Sequence, residues 1–359
     1  MKRQLYKFLL LITPSIIIGY SLSAYKTQAQ DAHFSQFYFS PLTLNPALAG
    51  AFNGNIRLIT NYRDQWQSIT TPYKSFAFSS DFGLFKKKVS TGFLGAGISF
   101  LSDKAGDSEL GLNEVNLSLA YHAQISGYNT LSAGIQFGYA QKSINYEKLS
   151  WDNQYDGNSY DPALPSNETS ISNNLSYMDF GAGLQWTYVK GEMYSTANNQ
   201  LFINTGISVF HLNQPNISFY PTSKDNLPFK IVMHGAFQIG IKNSRISLAP
   251  SFVLMKQGSL QNIIAGTLFR YKLIEESKYT GFVKGAAISL GGHYRVGDAF
   301  IPSVQLEMAQ YAIGISYDIN TSNLKSASYG KGGVELSLRF YNPNPFTGKS
   351  VSKTPRLFN

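Results

Sequence analysis

Along most of the chain polar and apolar residues alternate one by one. Between Glu114 and Ile125 one face carries Val115, Leu117, Leu119, Tyr121, Ala123 and Ile125, and the other carries Glu114, Asn116, Ser118, Ala120, His122 and Gln124. A period of two is that of a β-strand, whose successive side chains point to opposite sides. The pattern returns in 131–140, where Leu131, Ala133, Ile135, Phe137 and Tyr139 alternate with Ser132, Gly134, Gln136, Gly138 and Ala140, and again in 311–319 and 334–341. Strands of soluble sandwiches are usually about 5 to 6 residues long. Segments of about 9 to 11 residues with a polar, glycine-rich second face suit strands tilted across a membrane.

Fourteen such segments can be placed, near 55–64, 74–83, 90–102, 111–125, 128–144, 175–190, 199–211, 229–241, 244–256, 261–272, 279–295, 298–308, 310–319 and 333–341. An even number is what a single-chain bacterial barrel with both ends in the periplasm requires. If the first strand starts from the periplasm, the long connections 145–174, 212–228 and 320–332 fall outside, while Ser126-Gly127 and Lys242-Asn243 fall inside. That division, long loops outside and short turns inside, is the one outer-membrane barrels show. The inner connections 191–198 and 273–278 are longer than this division favours. The expected fold is therefore all-β, a transmembrane outer-membrane β-barrel of about 14 antiparallel strands.

The ends of the chain break the pattern. Lys2, Arg3 and Lys7 precede an apolar run over 8–18 interrupted by Pro14, and Thr27-Gln28-Ala29 follows, the order of a secretory signal with small residues before the cut. The division that follows is a signal peptide at 1–29, a periplasmic or plug segment at 30–54, a barrel at 55–341 and a basic, Pro-containing periplasmic tail at 342–359. An uncleaved anchor helix is the other reading of the leader. Loss of the leader removes four basic and no acidic residues, so the formal net charge falls from +9 to +5. With Lys86-Lys87-Lys88 as the one remaining cluster, composition gives no reason to expect a nucleic-acid partner. Zero cysteines exclude disulfides and thiolate metal sites.

Catalytic chemistry finds little to work with. His122 and His234 lie on the polar, inward face with Asn116, Gln124 and Gln238, and His33, His211 and His293 lie at strand ends or in the lead-in, none at a metal-ligand spacing. The acids Asp152, Asp156 and Asp161 lack the alternating pattern of a calcium loop. No catalytic, cofactor or metal site is expected. Inward charges carry more information: Arg57, Arg63, Asp81, Glu114, Glu307 and Arg339 all point to the lumen by parity. The first and last strands must be neighbours, so Arg57 or Arg63 comes within reach of Glu335 or Asp81 near the seam. In an open pore such groups line water, and in a filled barrel they pair with one another. A filled or plugged lumen is the preferred reading, because a long lead-in precedes the first regular strand and such segments serve as plugs. The loop 145–174 carries Trp151, Tyr155 and Tyr160 among turn formers, a composition that suits contact with a partner as well as simple solvation.

The lead-in itself is distinctive. Phe34-Ser-Gln-Phe-Tyr38, Pro41-Leu42, Asn45-Pro-Ala-Leu-Ala-Gly50, Asn61-Tyr-Arg-Asp-Gln-Trp66, Tyr317-Asp-Ile-Asn320, Ser326-Ala-Ser-Tyr-Gly330 and Glu335-Leu-Ser-Leu338 together resemble the PorP/SprF family of type IX secretion system membrane proteins of gliding and adhesin-secreting Bacteroidetes. The motif residues are Asn45, Pro46, Gly50, Tyr62, Arg63, Asp64 and Trp66. The resemblance implies an outer-membrane barrel in a Gram-negative cell that is not an enzyme. It would assist export or surface attachment of a cognate adhesin-like protein with a C-terminal secretion domain, with other type IX components and the lipid bilayer as further partners. The motif around Arg63, Asp64 and Trp66 can serve folding or partner binding. The alternative function is a passive or substrate-specific pore.

Overall fold

The alternation sorts side chains onto the two sides of one sheet, and that sheet closes on itself. In the computed structural model, which describes residues 31–67, 71–86, 91–167, 173–191, 198–220, 223–274, 285–323 and 325–342, fourteen antiparallel strands form a closed barrel. They are β1 (Ile56–Gln65), β2 (Tyr73–Leu84), β3 (Gly92–Ala105), β4 (Leu110–Gln124), β5 (Asn129–Ser143), β6 (Asn174–Lys190), β7 (Leu201–Phe210), β8 (Lys230–Gly240), β9 (Ile246–Gln257), β10 (Leu260–Ile274), β11 (Ala286–Arg295), β12 (Ala299–Met308), β13 (Tyr311–Asn320) and β14 (Lys331–Asn342). Each pairs with its neighbours in sequence, and β1 closes onto β14 with Arg57 opposite Tyr341 and Arg63 opposite Glu335. Closure removes the unpaired edges that an open sheet would expose. The strands run from 10 to 17 residues, enough to cross a hydrocarbon core that takes about 9 to 11 when tilted.

Fourteen strands agree with the expected number, while the ends shift. β11 begins at Ala286 rather than near 279, and β14 runs one residue beyond the expected 341. The expected signal peptide, the tail beyond Asn342 and Lys87-Lys88 lie outside the described residues.

Two prolines interrupt the ladder from within. Pro250 lies in β9, where pairing to β8 jumps from Ala236↔Ser251 to Ile239↔Leu248. Pro302 lies in β12, where pairing to β13 jumps from Phe300↔Ile319 to Ser303↔Ser316. A proline has no N–H to give to a neighbour, so each opens the ladder on one side and leaves the other side paired, to Thr267 and to Gly292.

The outward rows are apolar and exposed, for example Val115, Leu117, Leu119 and Tyr121 on β4 and Ile313, Ile315 and Tyr317 on β13, which is the belt a bilayer covers. The inward rows are polar, yet they are buried: Ser118, Ala120 and His122 on β4, and Ser316 and Asp318 on β13. They are buried because residues 31–54 lie inside the barrel against them. This segment has no period of two and cannot join the sheet. It forms a 3-10 turn at Phe37–Phe39, one turn of α-helix at Pro41–Leu44 and a second 3-10 turn at Pro46–Leu48. Pro41 and Pro46 begin their turns, where a fixed φ helps and a missing N–H costs nothing. The Asn45 side chain caps the last turn by accepting the Ala47 N–H at 2.9 Å.

Candidate functional site

The lumen and the segment that threads it form the most elaborate polar arrangement in the molecule. The connections 144–173, 211–229 and 321–330 fall at one end of the barrel, called outer below, together with the short turns 258–259 and 296–298, and the opposite end is called inner. Residue 31 sits at the outer end and residue 54 at the inner, so the segment spans the lumen.

At the outer end, Asp31 Oδ2 accepts from His211 Nε2 at 2.8 Å and Lys230 Nζ at 3.1 Å, and its Oδ1 accepts from Gln257 Nε2 at 3.0 Å. His211 and Lys230 flank the 212–229 connection, and Phe210 pairs with Lys230. The other nitrogen of His211 meets Asp179 Oδ1 at 3.0 Å. Burial lowers the proton affinity of His211, but the two carboxylates outweigh it and raise its pKa to about 9. For Asp31 burial acts upward, and Lys230 and His211 more than reverse it, holding the carboxyl well below the usual carboxylate range.

One turn deeper lies a charged knot. Asp318 accepts from Ser35 Oγ at 2.7 Å, Arg63 Nη2 at 2.8 Å and Arg295 Nη1 at 3.0 Å, and Arg295 also reaches Asp298 at 2.9 Å. Arg63 donates further to the His33 carbonyl. Glu335, the register partner of Arg63, takes the backbone N–H groups of Ser35 and Gln36 at 2.7 and 2.8 Å. Buried charges are tolerable only when matched and hydrogen-bonded like this.

In the middle of the lumen aromatic and amide contacts replace ion pairs. Asn61 Nδ2 donates to the Phe39 carbonyl at 3.0 Å, and the Arg339 guanidinium lies 5.2 Å from the centre of the Phe39 ring. Asn45 Nδ2 donates to the Leu184 carbonyl at 3.0 Å and lies 3.2 Å from His234 Nε2, and Ser208 Oγ donates to the Leu44 carbonyl. The wall comes very close here. A Cβ at Gly134 would stand 2.4 Å from Ala47 N, and one at Gly95 would stand 1.8 Å from the Ala49 carbonyl oxygen. Only glycine lets two backbones approach this way.

At the inner end His122 holds the Ala49 carbonyl at 2.8 Å through Nε2, which must carry the proton because a carbonyl only accepts; Nδ1 then accepts from Ser132 Oγ at 2.7 Å. Arg57 grips Asp81 with two bonds of 2.8 Å, and Asp81 Oδ2 also accepts the Gly50 N–H at 2.7 Å. Gly50 has φ +74°, and a Cβ there would lie 2.7 Å from the Phe82 carbonyl oxygen. Lys86, in the β2–β3 turn, donates to the Phe52 carbonyl and, at 2.8 Å, to that of Gly54, with its Nζ 4.4 Å from the Phe52 ring centre. Burial lowers its pKa to about 7.

The sequence matches the family described as type IX secretion system membrane protein PorP/SprF over residues 26–340. The chain belongs to this family. Among solved structures it is similar to a Pseudomonas aeruginosa FadL homologue, with 11% identity over 82% of this chain and 92% of that one and a TM-score of 0.42. It is also similar to the CymD monoaromatic hydrocarbon channel, with 10% identity over 88% and 96% of the two chains and a TM-score of 0.41, and to BamA from Haemophilus ducreyi, with 11% identity over 80% and 70% and a TM-score of 0.39. No match was found among curated proteins.

In this PorP/SprF member the motif residues divide between the two sides of the wall and the segment inside it. Asn45, Pro46 and Gly50 belong to the segment, and Arg63 points inward to meet it. Tyr62 is exposed on the outward face, and Asp64 stands on the same face opposite Lys74 of β2. Trp66 follows β1 with φ +61°, its ring 4.9 Å from that of Tyr73. Of the seam charges, Arg57 meets Asp81, whereas Arg63 meets Asp318 and not Asp81, because Asp318 stands at its own level near the outer rim. Arg339 lies over Phe39. Sequence parity overlooked Asp318 and Arg295, although both fall on inward positions of their strands. His211 was read only as a strand-end residue; its role depends on Asp31, a partner 180 residues away.

Trp151, Tyr155 and Tyr160 lie far from this network in the 144–173 loop. Tyr155 and Tyr160 are exposed and joined by an antiparallel bridge, and Gln154 is buried beneath them, donating to the Leu164 carbonyl at 3.1 Å. The loop is thus folded on itself with aromatics turned outward. Among the described residues no group of three or more histidines, cysteines, aspartates and glutamates is placed to hold a metal.

Proposed function

We propose that this PorP/SprF member works as a closed outer-membrane scaffold of the type IX secretion system, assisting export or surface attachment of a cognate adhesin-like protein that carries a C-terminal secretion domain. The outer loops, with Tyr155 and Tyr160 as exposed anchors beside a half-buried Trp151, would receive that protein. The inner turns and the 342–359 tail would contact other secretion components. The chain would carry no catalytic function and no cofactor, and would reach the outer membrane through a cleaved signal peptide. The observation that supports a scaffold over a pore is the occupancy of the lumen: residues 31–54 cross it and are bonded to the wall at the outer end, the middle and the inner end. With the interior taken, recognition falls to the outer and inner surfaces, and exposed aromatics are the residues interfaces favour.

Affinity isolation from detergent-solubilised outer membrane tests this. The scaffold reading expects recovery of a large protein with a C-terminal secretion domain, and loss of that protein from the cell surface when the gene is deleted, with small-solute uptake unchanged. An unchanged surface proteome together with impaired solute uptake would overturn it in favour of a pore.

A further inference from the structure

The outer mouth is closed by two separate pieces of chain, and one residue joins them. The first piece is the start of the lumenal segment. The second is the connection between β7 and β8, described over 211–220 and 223–229, which folds back on itself through an Asn216↔Asn226 bridge and bonds from Ile217 N to Asp225 O at 2.8 Å and from Leu227 N to Pro215 O at 2.9 Å. One side of this loop is exposed and the other is seated in the barrel. Leu227 is buried against Ala140 and Tyr177, with Leu112 and Ile217 packed alongside. Ala140 and Tyr177 are register partners on β5 and β6, and Ala140 and Leu112 occupy inward positions of their strands. The loop therefore tucks apolar residues into the mouth above β4, β5 and β6.

Both roots of this loop, His211 and Lys230, bind Asp31. The next wall contacts of the segment are the packing of Ala32 and Phe34 against Ala77 and Leu101 and the bonds of His33 and Ser35 to Arg63, Asp318, Arg295 and Glu335. We propose that Asp31 is a latch coupling the 211–230 loop to the lumenal segment, so that a ligand lifting the loop off the mouth releases Asp31 and Ala32, while the Arg63 bond at His33, the buried Phe34 and the knot at Ser35 and Gln36 keep the rest in place. A loop seated by Leu227 holds His211 and Lys230 where Asp31 can reach them. A loop pulled outward carries both away together, because Phe210 and Lys230 are paired across the base. Asp31 then keeps only Gln257. Coupling of this kind is reciprocal: whatever loosens the loop must loosen the segment, and whatever frees the segment must loosen the loop by the same factor. The inference concerns this chain alone and does not depend on the proposed secreted partner.

The absence of cysteine from the chain makes the test direct. Ala32→Cys, in protein reconstituted into vesicles or displayed on cells, is labelled with a membrane-impermeant maleimide, with Ser223→Cys on the exposed part of the loop as reference. Adding Leu227→Asp, which unseats the loop without touching Asp31, should speed labelling at position 32 relative to the reference on the order of tenfold, within the usual range of coupling between sites. In the reverse direction, Asp31→Asn should speed labelling of Leu227→Cys by a comparable factor. Retained heat-modifiable gel mobility checks that each barrel is closed, with Leu227→Ala as the substitute if Leu227→Asp fails that check. If Asp31→Asn frees position 32 but loop variants leave its rate within about twofold, the two closures are adjacent and uncoupled, and the latch is refuted. No change at either site refutes it equally.

Discussion

Replacing Asp81 with asparagine tests whether the lumenal network holds the barrel seam together or merely decorates it. Both side chains of the Arg57–Asp81 pair are 1% exposed, and the pair links β1 to β2 beside the β1–β14 closure. Asp81→Asn preserves shape and one acceptor oxygen but removes the charge, leaving a buried guanidinium that still holds the Leu48 carbonyl at 3.2 Å and lies 4.8 Å from the Phe52 ring centre. Removing one partner of a buried pair costs about 3–5 kcal/mol. Because the amide oxygen can still serve the Gly50 N–H, the lower end of that range, about 3 kcal/mol, is expected. The assay is reversible urea unfolding from lipid vesicles, followed by tryptophan fluorescence and by heat-modifiable mobility. Glu109→Gln is the internal control, since it breaks an ion pair of 2.6 Å to Lys148 that lies in solvent and should leave the midpoint in place. Arg57→Met combined with Asp81→Asn should cost less than the sum of the two single changes, because the pair is lost as a unit. If Asp81→Asn moves the midpoint no further than Glu109→Gln does, the reasoning fails.

Four further outcomes follow from the same contacts. Gly134→Val should drive the wall into the Ala47 backbone and make the segment accessible to protease, whereas Gly127→Ala, in an open turn with nothing near its Cβ, should not. Asn45→Ala removes the cap on the Pro46–Leu48 turn and three wall contacts, and should lower stability by about 1–2 kcal/mol in the same unfolding assay. His211 has a folded pKa of about 9 against an ordinary 6.5; its stabilisation is therefore complete below about 6.5 and is lost as the pH rises through about 9. The stability difference between wild type and His211→Gln should shrink over that interval, and a constant difference would contradict the ion pairs at its two nitrogens. Planar-bilayer recordings should show little steady conductance for the intact chain and a large rise after deletion of residues 31–50.

The barrel was legible because its signal is repeated: the same two-residue period over fourteen segments fixes which face of each strand looks inward, and loop parity gives an independent check on the number. Arg57, Arg63, Asp81, Glu335 and Arg339 could be placed on the lumenal side for that reason. What parity cannot supply is height along the barrel axis. Arg63 and Asp318 meet because they stand at the same level on strands brought together by closure, and no local pattern in either strand records that. The lumenal segment was harder still, having no period; its turns are dictated by Pro41, Pro46 and the cap at Asn45, but its path depends on glycines of distant strands. Gly95 and Gly134 read in sequence as a bland inner face. Their meaning appears only beside Ala49 and Ala47.

The direction in which the segment runs has a consequence for how the molecule is made. Its later end continues into β1 at the inner rim, while its earlier end, at Asp31, is fastened at the opposite rim, so residues 31–54 span the whole height of a cylinder that the last strand completes. A thread held at both rims is hard to push in once the staves are joined. β14 must therefore dock onto β1 around a filling already laid along it, and contacts such as Ser35 and Gln36 to Glu335, or Phe39 beneath Arg339, give the arriving strand something to settle against besides its neighbour's edge. In this protein a part of the chain made before any of the strands would act as the mandrel on which its own wall is wound.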